Sequence, residues 1–225
     1  MTKRVVVFDL DGTLVDTAPD LMAATNHALS LMQRRPVTMT EVRSFVGHGA
    51  KALIERCFAA TGDEIDEKTL SYTHAELLRY YERNIAVNSL AFPGVVDLLE
   101  RCKAADFALG VCTNKIERYS VQLLNALNLA KYFGAIVGPD TINIAKPDPA
   151  PLHETLRRLG CNATNAIMIG DSETDILTAR AAGVPVIAVT FGYTARPVAE
   201  FSPDHVVSHF DEIWDLLIAQ GPMRN

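Results

Sequence analysis

The chain has no apolar run approaching membrane-spanning length, no CxxC pair and no excess of positive charge. Each absence excludes something. Without about 20 consecutive apolar residues no segment reads as a membrane helix, and MTKRVVVFDLDG carries too few apolar residues before its first acid to resemble a signal-peptide core. The four cysteines, Cys57, Cys102, Cys112 and Cys161, are far apart and have no histidines at zinc-finger intervals, so they read as reduced thiols. These features together lead us to expect a cytoplasmic protein. A formal net charge of -6 and a pI near 5.5 disfavour a surface built to neutralise nucleic-acid phosphates. Neither nucleic acid nor membrane is therefore expected as a partner, and no pattern specifies an oligomeric state.

What is present suits one domain with an insertion, or two small domains: 225 residues, 48% of them apolar. Short β-branched and apolar runs recur at 5–8, 107–112, 135–137, 166–169, 184–189 and 205–207. Such runs suit strands covered on both faces. Helical stripes lie between most of them: Val95, Leu98, Leu99 and Cys102; Val121, Leu124, Leu127 and Leu129; Leu152, Thr155, Leu156 and Leu159; Ile176, Ala179 and Ala182; and finally Ile213, Trp214, Leu217 and Ile218. Alternation of strand and helix predicts an α/β fold with a doubly wound parallel sheet.

The segment 18–91 differs, with helical periodicity and little strand signal. Its stripes are Leu21, Ala24, Ala28 and Leu31; Leu53, Ile54, Cys57 and Phe58; and Leu70, His74, Leu77 and Tyr81. Thr38 and Glu41 have capping-box spacing, which predicts a helix start. The segment reads as an all-helical subdomain inserted after the first strand, dividing a core of 1–17 and 92–225. The tail GPMRN reads as frayed.

Three of the strand-like runs end in polar or acidic residues. VVVF runs into Asp9 and Asp11, FALGVC into Thr113 and Asn114, and AIMI into Gly170, Asp171 and, four residues on, Asp175. Turn chemistry alone would accommodate an isolated DxDG. A calcium loop fails on register, because Leu14 occupies the sixth position from Asp9 and Asp20 the twelfth. In open parallel sheets the carboxyl ends of strands form the ligand crevice, so these acids can share one site. Clustered carboxylates repel one another and resist burial, so they need a cation. Hard oxygen donors with no soft ligand among them suit Mg2+, which completes its shell with water and substrate phosphate. Lys146 sits in a loop stiffened by Pro147 and Pro149 and supplies positive charge for a phosphoryl group.

DLDGT at 9–13, Thr113 after an apolar strand, Lys146 before a proline and GDSETD at 170–175, in that order, resemble the haloacid-dehalogenase-like hydrolases. The resemblance implies a Rossmann-like core with a helical cap. It implies Asp9 as the nucleophile that forms an aspartyl-phosphate, and Asp11 as the acid that protonates the leaving oxygen and then activates water. Members acting on halides lack the second acid, so Asp11 implies phosphoryl transfer. By the same resemblance Thr113, Lys146 and the Asn114 amide would hold the phosphoryl oxygens. Mg2+ would lie among the Asp9 carboxylate, the Asp11 carbonyl and Asp171, oriented by Asp175, which could also pair with Lys146.

The stretch RSFVGHGAKALIER at 43–56 places Gly47, His48 and Gly49 ahead of an apolar helix. An isolated GxG is ordinary loop punctuation; alternatively its amides can approach an anionic group. With FPGV at 92–95 it is similar to the phosphoglycolate phosphatases within that family. This implies a small phosphorylated metabolite as substrate, 2-phosphoglycolate above others, its carboxylate near the cap amides and His48, Lys51 or Arg56. A sugar-phosphate mutase, a pyrophosphatase, a broad small-phosphate phosphatase and a non-catalytic phosphate-binding regulator are the alternatives on the same fold.

Overall fold

The computed structural model describes residues 3–62 and 65–219. The frayed tail expected at 221–225 lies outside them. The chain begins with β1 (Val5–Phe8), then a two-residue strand β2 (Val15–Asp16) and four helices: α1 (Ala18–Leu31), α2 (Met39–Phe45), α3 (Gly49–Thr61) and α4 (Glu67–Arg83). It returns through β3 (Leu90–Ala91), and α5 (Val95–Ala104), β4 (Ala108–Cys112), α6 (Glu117–Ala126) and β5 (Ala135–Val137) follow. The remaining elements are α7 (Pro139–Ile142), α8 (Ala150–Arg158), β6 (Ala166–Gly170), α9 (Glu173–Ala181), β7 (Val186–Val189), β8 (His205–Val207) and α10 (Phe210–Ala219).

Six strands form one parallel sheet in the order β5-β4-β1-β6-β7-β8. Side chains alternate across it, as the period of a strand requires. Val6, Phe8, Leu109, Val111, Ile167 and Ile169 belong to one apolar core with Leu98, Leu99, Leu123 and Ile213 from α5, α6 and α10. Val5, Val7 and Met168 point the other way, against Leu152, Leu156, Ile176 and Ala179 of α8 and α9. Both faces are covered, which explains why the strands read as unbroken apolar runs. β1 is central: the chain adds β4 and β5 on one side of it, then crosses back to build β6, β7 and β8 on the other. The crevice of an open α/β sheet forms where the winding reverses in this way.

α1 to α4 pack mainly on one another, and their apolar faces join the core on the Val6 and Phe8 side of the sheet. The capping box at the start of α2 is formed: Thr38 Oγ1 accepts from the Glu41 amide, and Glu41 Oε2 accepts from the Thr38 amide at 2.7 Å. Several helical faces differ by a residue from the periodic reading. Leu29 rather than Leu31 is buried in α1, and Thr73 rather than His74 in α4. α6 buries Tyr119, Leu123 and Leu124, not Val121 and Leu127, and Ile218 on α10 is exposed. A wide apolar stripe fits several rotations about the helix axis, and the neighbouring helix selects one.

The two passages joining the four-helix unit to the sheet lie side by side, since Val15 pairs with Ala91 and Asp16 with Leu90 in an antiparallel ribbon. Asp20, buried in the first turn of α1, clamps the returning chain. Its carboxylate accepts from the amides of Asn88 and Ser89 at 3.0 and 2.8 Å, from Ser89 Oγ at 2.7 Å and from Asn88 Nδ2 at 3.1 Å. Replacing Asp20 by Ala orphans these donors and should cost about 1–3 kcal/mol of unfolding free energy. Urea unfolding of Asp20→Ala beside wild type measures this, and an unchanged midpoint would contradict the clamp.

Candidate active site

Strand register sets the site. Phe8 is level with Val111 on one side and Ile169 on the other, so Asp9, Cys112 and Gly170 come next in line, and Thr113 and Asp171 just beyond them. Parallel pairing thus delivers Asp9, Thr113 and Asp171 to one end of the sheet. The Lys146 loop closes on them: its Nζ donates to Asp9 Oδ1 at 2.8 Å and to Asp175 Oδ1 at 2.5 Å, with the lysine 5% exposed. Asp9 Oδ2 accepts no hydrogen bond among the described residues, which leaves its lone pairs for attack.

Asp171 and Asp175, four residues apart, are held differently. Asp171 Oδ1 accepts from Thr13 Oγ1 at 2.8 Å and Oδ2 from the Tyr193 amide at 2.6 Å. Two glycines permit this. A Cβ on Gly12 would lie 2.5 Å from Asp171 Oδ2, and one on Gly192 would lie 2.1 Å from Asp171 Cβ. Asp175 Oδ2 instead accepts from Ser172 Oγ and from the amides of Ser172 and Asp171, so both of its oxygens are engaged. It is equipped to orient the site.

Carboxylate oxygens of Asp9, Asp171 and Asp175 can lie within 4.8 Å of one another, all buried. Burial first, and Asp175 next among charges, pushes Asp171 well above the ordinary carboxyl value; burial pushes Asp9 up to about 7 even though Lys146 pulls the other way. Three carboxylates and one ammonium, once ionised, leave two negative charges. A divalent cation balances them, and an all-oxygen donor set suits a hard ion. The residues present fit such a metal, with Asp9 and Asp171 the carboxylates best placed to hold it.

Asp11 has turned away from this cluster. Both of its oxygens accept from Lys115 Nζ, at 2.9 and 3.0 Å. Burial lowers the pKa of the Lys115 ammonium, but Asp11 more than offsets this and holds it above the ordinary lysine value. Lys115 escaped the sequence reading, although it follows Thr113 and Asn114 directly and a basic residue one step past a polar strand end is a usable signal. Thr13 and Tyr193 were also missed, and no local pattern marks Tyr193.

A cavity of about 70 Å3 opens above Asp9 and Asp11, lined also by Thr113, Asn114 and Lys115 from the sheet end and by Gly47, Gly49, Leu53, Leu77 and Tyr81 from the helical unit. A water needs roughly 10–15 Å3 of such space, so only a few small groups fit. The Asn114 side chain is spent on structure: it donates to the carbonyls of Gly47 and Lys146 and accepts from the Lys146 amide, tying the glycine loop to the lysine loop. His48 is exposed and does not line the cavity. Lys51 pairs with Glu67 at the surface and Arg56 donates to the Phe45 carbonyl, so neither faces the cavity. The four cysteines are free, and burial pushes Cys57, Cys102 and Cys112 up to about 12, which leaves those three inert. Among the described residues no helix is long and apolar enough to cross a membrane.

Comparison with known proteins gives a consistent set of likenesses. Residues 6–189 match the family described as haloacid dehalogenase-like hydrolase. A phosphoglycolate phosphatase of Mesorhizobium japonicum is 46% identical over 213 residues, spanning 95% of this chain and 94% of that protein. One from Caulobacter vibrioides is 43% identical, spanning 92% and 88%. Among solved structures, that of a predicted phosphoglycolate phosphatase from Haemophilus somnus superposes with a TM-score of 0.90 at 30% identity, covering 96% of this chain and 98% of the other.

The raised carboxyls make metal binding compete with protons. With Asp9 titrating near 7, ionisation is nearly complete at pH 8 and about 1% at pH 5, so apparent affinity should fall roughly 100-fold per proton displaced. At 100 times its Kd a divalent cation adds about 2.7 kcal/mol to unfolding free energy. Chelator-treated protein titrated with Mg2+ or Mn2+ should gain that increment at pH 8 at a concentration that does little at pH 5; equal gains would contradict it.

Proposed function

Because this chain belongs to the haloacid dehalogenase-like hydrolases, we propose that it hydrolyses 2-phosphoglycolate to glycolate and phosphate, through an aspartyl-phosphate on Asp9 and with Mg2+ as its metal. It is a phosphoric monoester hydrolase. The observation that carries the substrate assignment is the lining of the cavity over Asp9, mostly apolar with Lys115 as its one basic side chain among the described residues. Its one ammonium matches the single carboxylate of a two-carbon acid, and the cavity offers no cluster of basic groups for a second phosphate. The relatives named phosphoglycolate phosphatase support the same substrate.

In this reading residues 1–17 and 92–225 are the catalytic core, and the helices of 18–91 are a cap that excludes water and supplies the cavity's far wall. Asp9 Oδ2 attacks phosphorus while the bond from phosphorus to the ester oxygen breaks, and Asp11 delivers a proton to that departing oxygen. A water then attacks the aspartyl-phosphate, giving its proton to Asp11, and phosphate and the Asp9 carboxylate are released. Thr113 Oγ1, the Asn114 amide and Lys146 Nζ hold the phosphoryl oxygens as charge shifts onto them. Asp9, Asp171 and the Asp11 carbonyl would hold Mg2+, which would supply positive charge to offset the anionic oxygens of the nucleophile and the phosphoryl group. Asp175 orients Lys146 and the 171–172 turn. The Gly47 and Gly49 loop contributes backbone to the cavity, while exposed His48 is assigned no contact. Free thiols suit a reducing compartment, and a cytoplasmic location is part of the proposal.

Phosphate release from a panel of 2-phosphoglycolate, hexose phosphates, nucleotides and pyrophosphate, with and without Mg2+, tests the reading. A clear preference for phosphoglycolate is expected, with no isomerised hexose phosphate formed, and the absence of that preference would remove the substrate. Asp9→Asn should abolish turnover, whereas Asp11→Asn should lower kcat by roughly 10²–10⁴-fold.

A further inference from the structure

Lys115 and Tyr81 form a pair that the chemistry at phosphorus leaves unexplained. Lys115, at the start of the loop from β4 to α6, has a side chain only 7% exposed, and it lines the cavity. Its ammonium lies 4.6 Å from the centre of the Tyr81 ring, which comes from α4 in the helical unit. Tyr81 is 2% exposed and lines the same cavity, and its buried hydroxyl lies against the Lys115 ammonium with no acceptor for its own proton among the described residues. A buried hydroxyl proton left without an acceptor costs free energy that a ligand's acceptor atom would recover. A buried ammonium likewise requires an anion. Here the anion is Asp11, a residue that must reach the ester oxygen to serve the reaction.

We propose that Lys115, with the Tyr81 hydroxyl, is the receptor for the substrate's carboxylate, and that this carboxylate replaces Asp11 on the ammonium. The proposal rests on the reading of a carboxylate-bearing phosphate ester as substrate. The exchange keeps the ammonium paired throughout, and the displaced Asp11 carboxylate takes up a proton from solvent, the one it then delivers to the ester oxygen. It frees the Asp11 side chain to swing from Lys115 toward the ester oxygen, and it supplies the acceptor that Tyr81 lacks. Because Tyr81 belongs to the helical unit and Lys115 to the sheet end, a carboxylate between them also bridges the two halves of the cavity. Specificity then follows: an ester of the same length without a carboxylate leaves Lys115 on Asp11 and Tyr81 without an acceptor. The substrate class selected is the phosphate ester of a short 2-hydroxy acid.

The test is the ratio of kcat/KM for 2-phosphoglycolate to that for ethyl phosphate, which has the same carbon count and no carboxylate. Lys115→Met keeps the stem packed on Tyr81 but removes the charge, and it should lower the ratio by about 10–100-fold, mainly through the KM for phosphoglycolate. Tyr81→Phe keeps the ring and removes only the hydroxyl, so it remains informative if the lysine variant does not fold. It should lower the ratio by about 2–10-fold. If Lys115 is merely a structural counter-ion for Asp11, both esters suffer equally and the ratio stays, which overturns the assignment. A ratio unmoved by Tyr81→Phe overturns the paired receptor. A wild type that does not prefer phosphoglycolate at all fails in a different way, removing the substrate reading and this assignment together.

Discussion

Everything at this site follows from burying three carboxylates beside a single ammonium. Asp9, Asp171 and Asp175 converge where β1 and β6 end, and Lys146 is the only cation placed against them among the described residues. Such an arrangement is unstable unless further positive charge arrives and each remaining lone pair is used. The second condition is met within the fold for Asp171 and Asp175, by Thr13, the Tyr193 amide and the Ser172 donors, while Asp9 Oδ2 stays open. A divalent metal would meet the first, and the phosphoryl group would then join an electrostatic arrangement already built for it. Glycine at 12 and 192 belongs to the same constraint, because any Cβ there would collide with Asp171.

A second, separate charge pair organises the substrate side. Asp11 and Lys115 neutralise each other at the cavity floor, so the two acids of DLDG are distinguished by their partners rather than by their residue type. Asp9 is tied to the lysine buried among the three carboxylates, and Asp11 to the lysine that faces the cavity. The helical unit is linked to this machinery through polar contacts of modest number but central position. Asn114 joins the Gly47 carbonyl to the Lys146 loop, and Arg43 on α2 pairs with Asp16 at 2.8 Å. Asp16 in turn accepts from the Tyr193 hydroxyl, while the amide of Tyr193 donates to Asp171. The helical unit is thereby connected to Asp171, one of the carboxylates proposed to hold metal.

Much of this was legible in the chain. The runs VVVF, AIV and AIMI became strands with nearly the bounds read from them, because a strand buried on both faces needs an apolar residue at every position. The capping box at Thr38 was equally plain, being encoded within four residues. Helix faces were read less well: Leu31 and Ile218 fit their stripes yet are exposed, since periodicity reports a face and only the neighbour decides how far it is covered. At the site, the acids and Lys146 stood out as polar residues at the ends of apolar runs or in a proline-bound loop. His48, Lys51 and Arg56 were drawn toward the substrate by proximity in sequence to two glycines, and the structure turns them to the surface or to a backbone carbonyl.

The sequence by itself determined which residue types stand at the ends of the strands and in what order, since hydrophobic period and its interruption are local properties of the chain. The tertiary structure alone decided which charges meet. Lys115 and Asp11 are separated by 104 positions, and Lys146 and Asp9 by 137. Only the parallel pairing of β4 with β1 and the closing of the Lys146 loop over the sheet end bring such residues within 3 Å, and no local pattern records that register. The same holds for the Tyr81 hydroxyl. Its lack of an acceptor is a property of the cavity that several distant segments enclose, not of the helix that carries it.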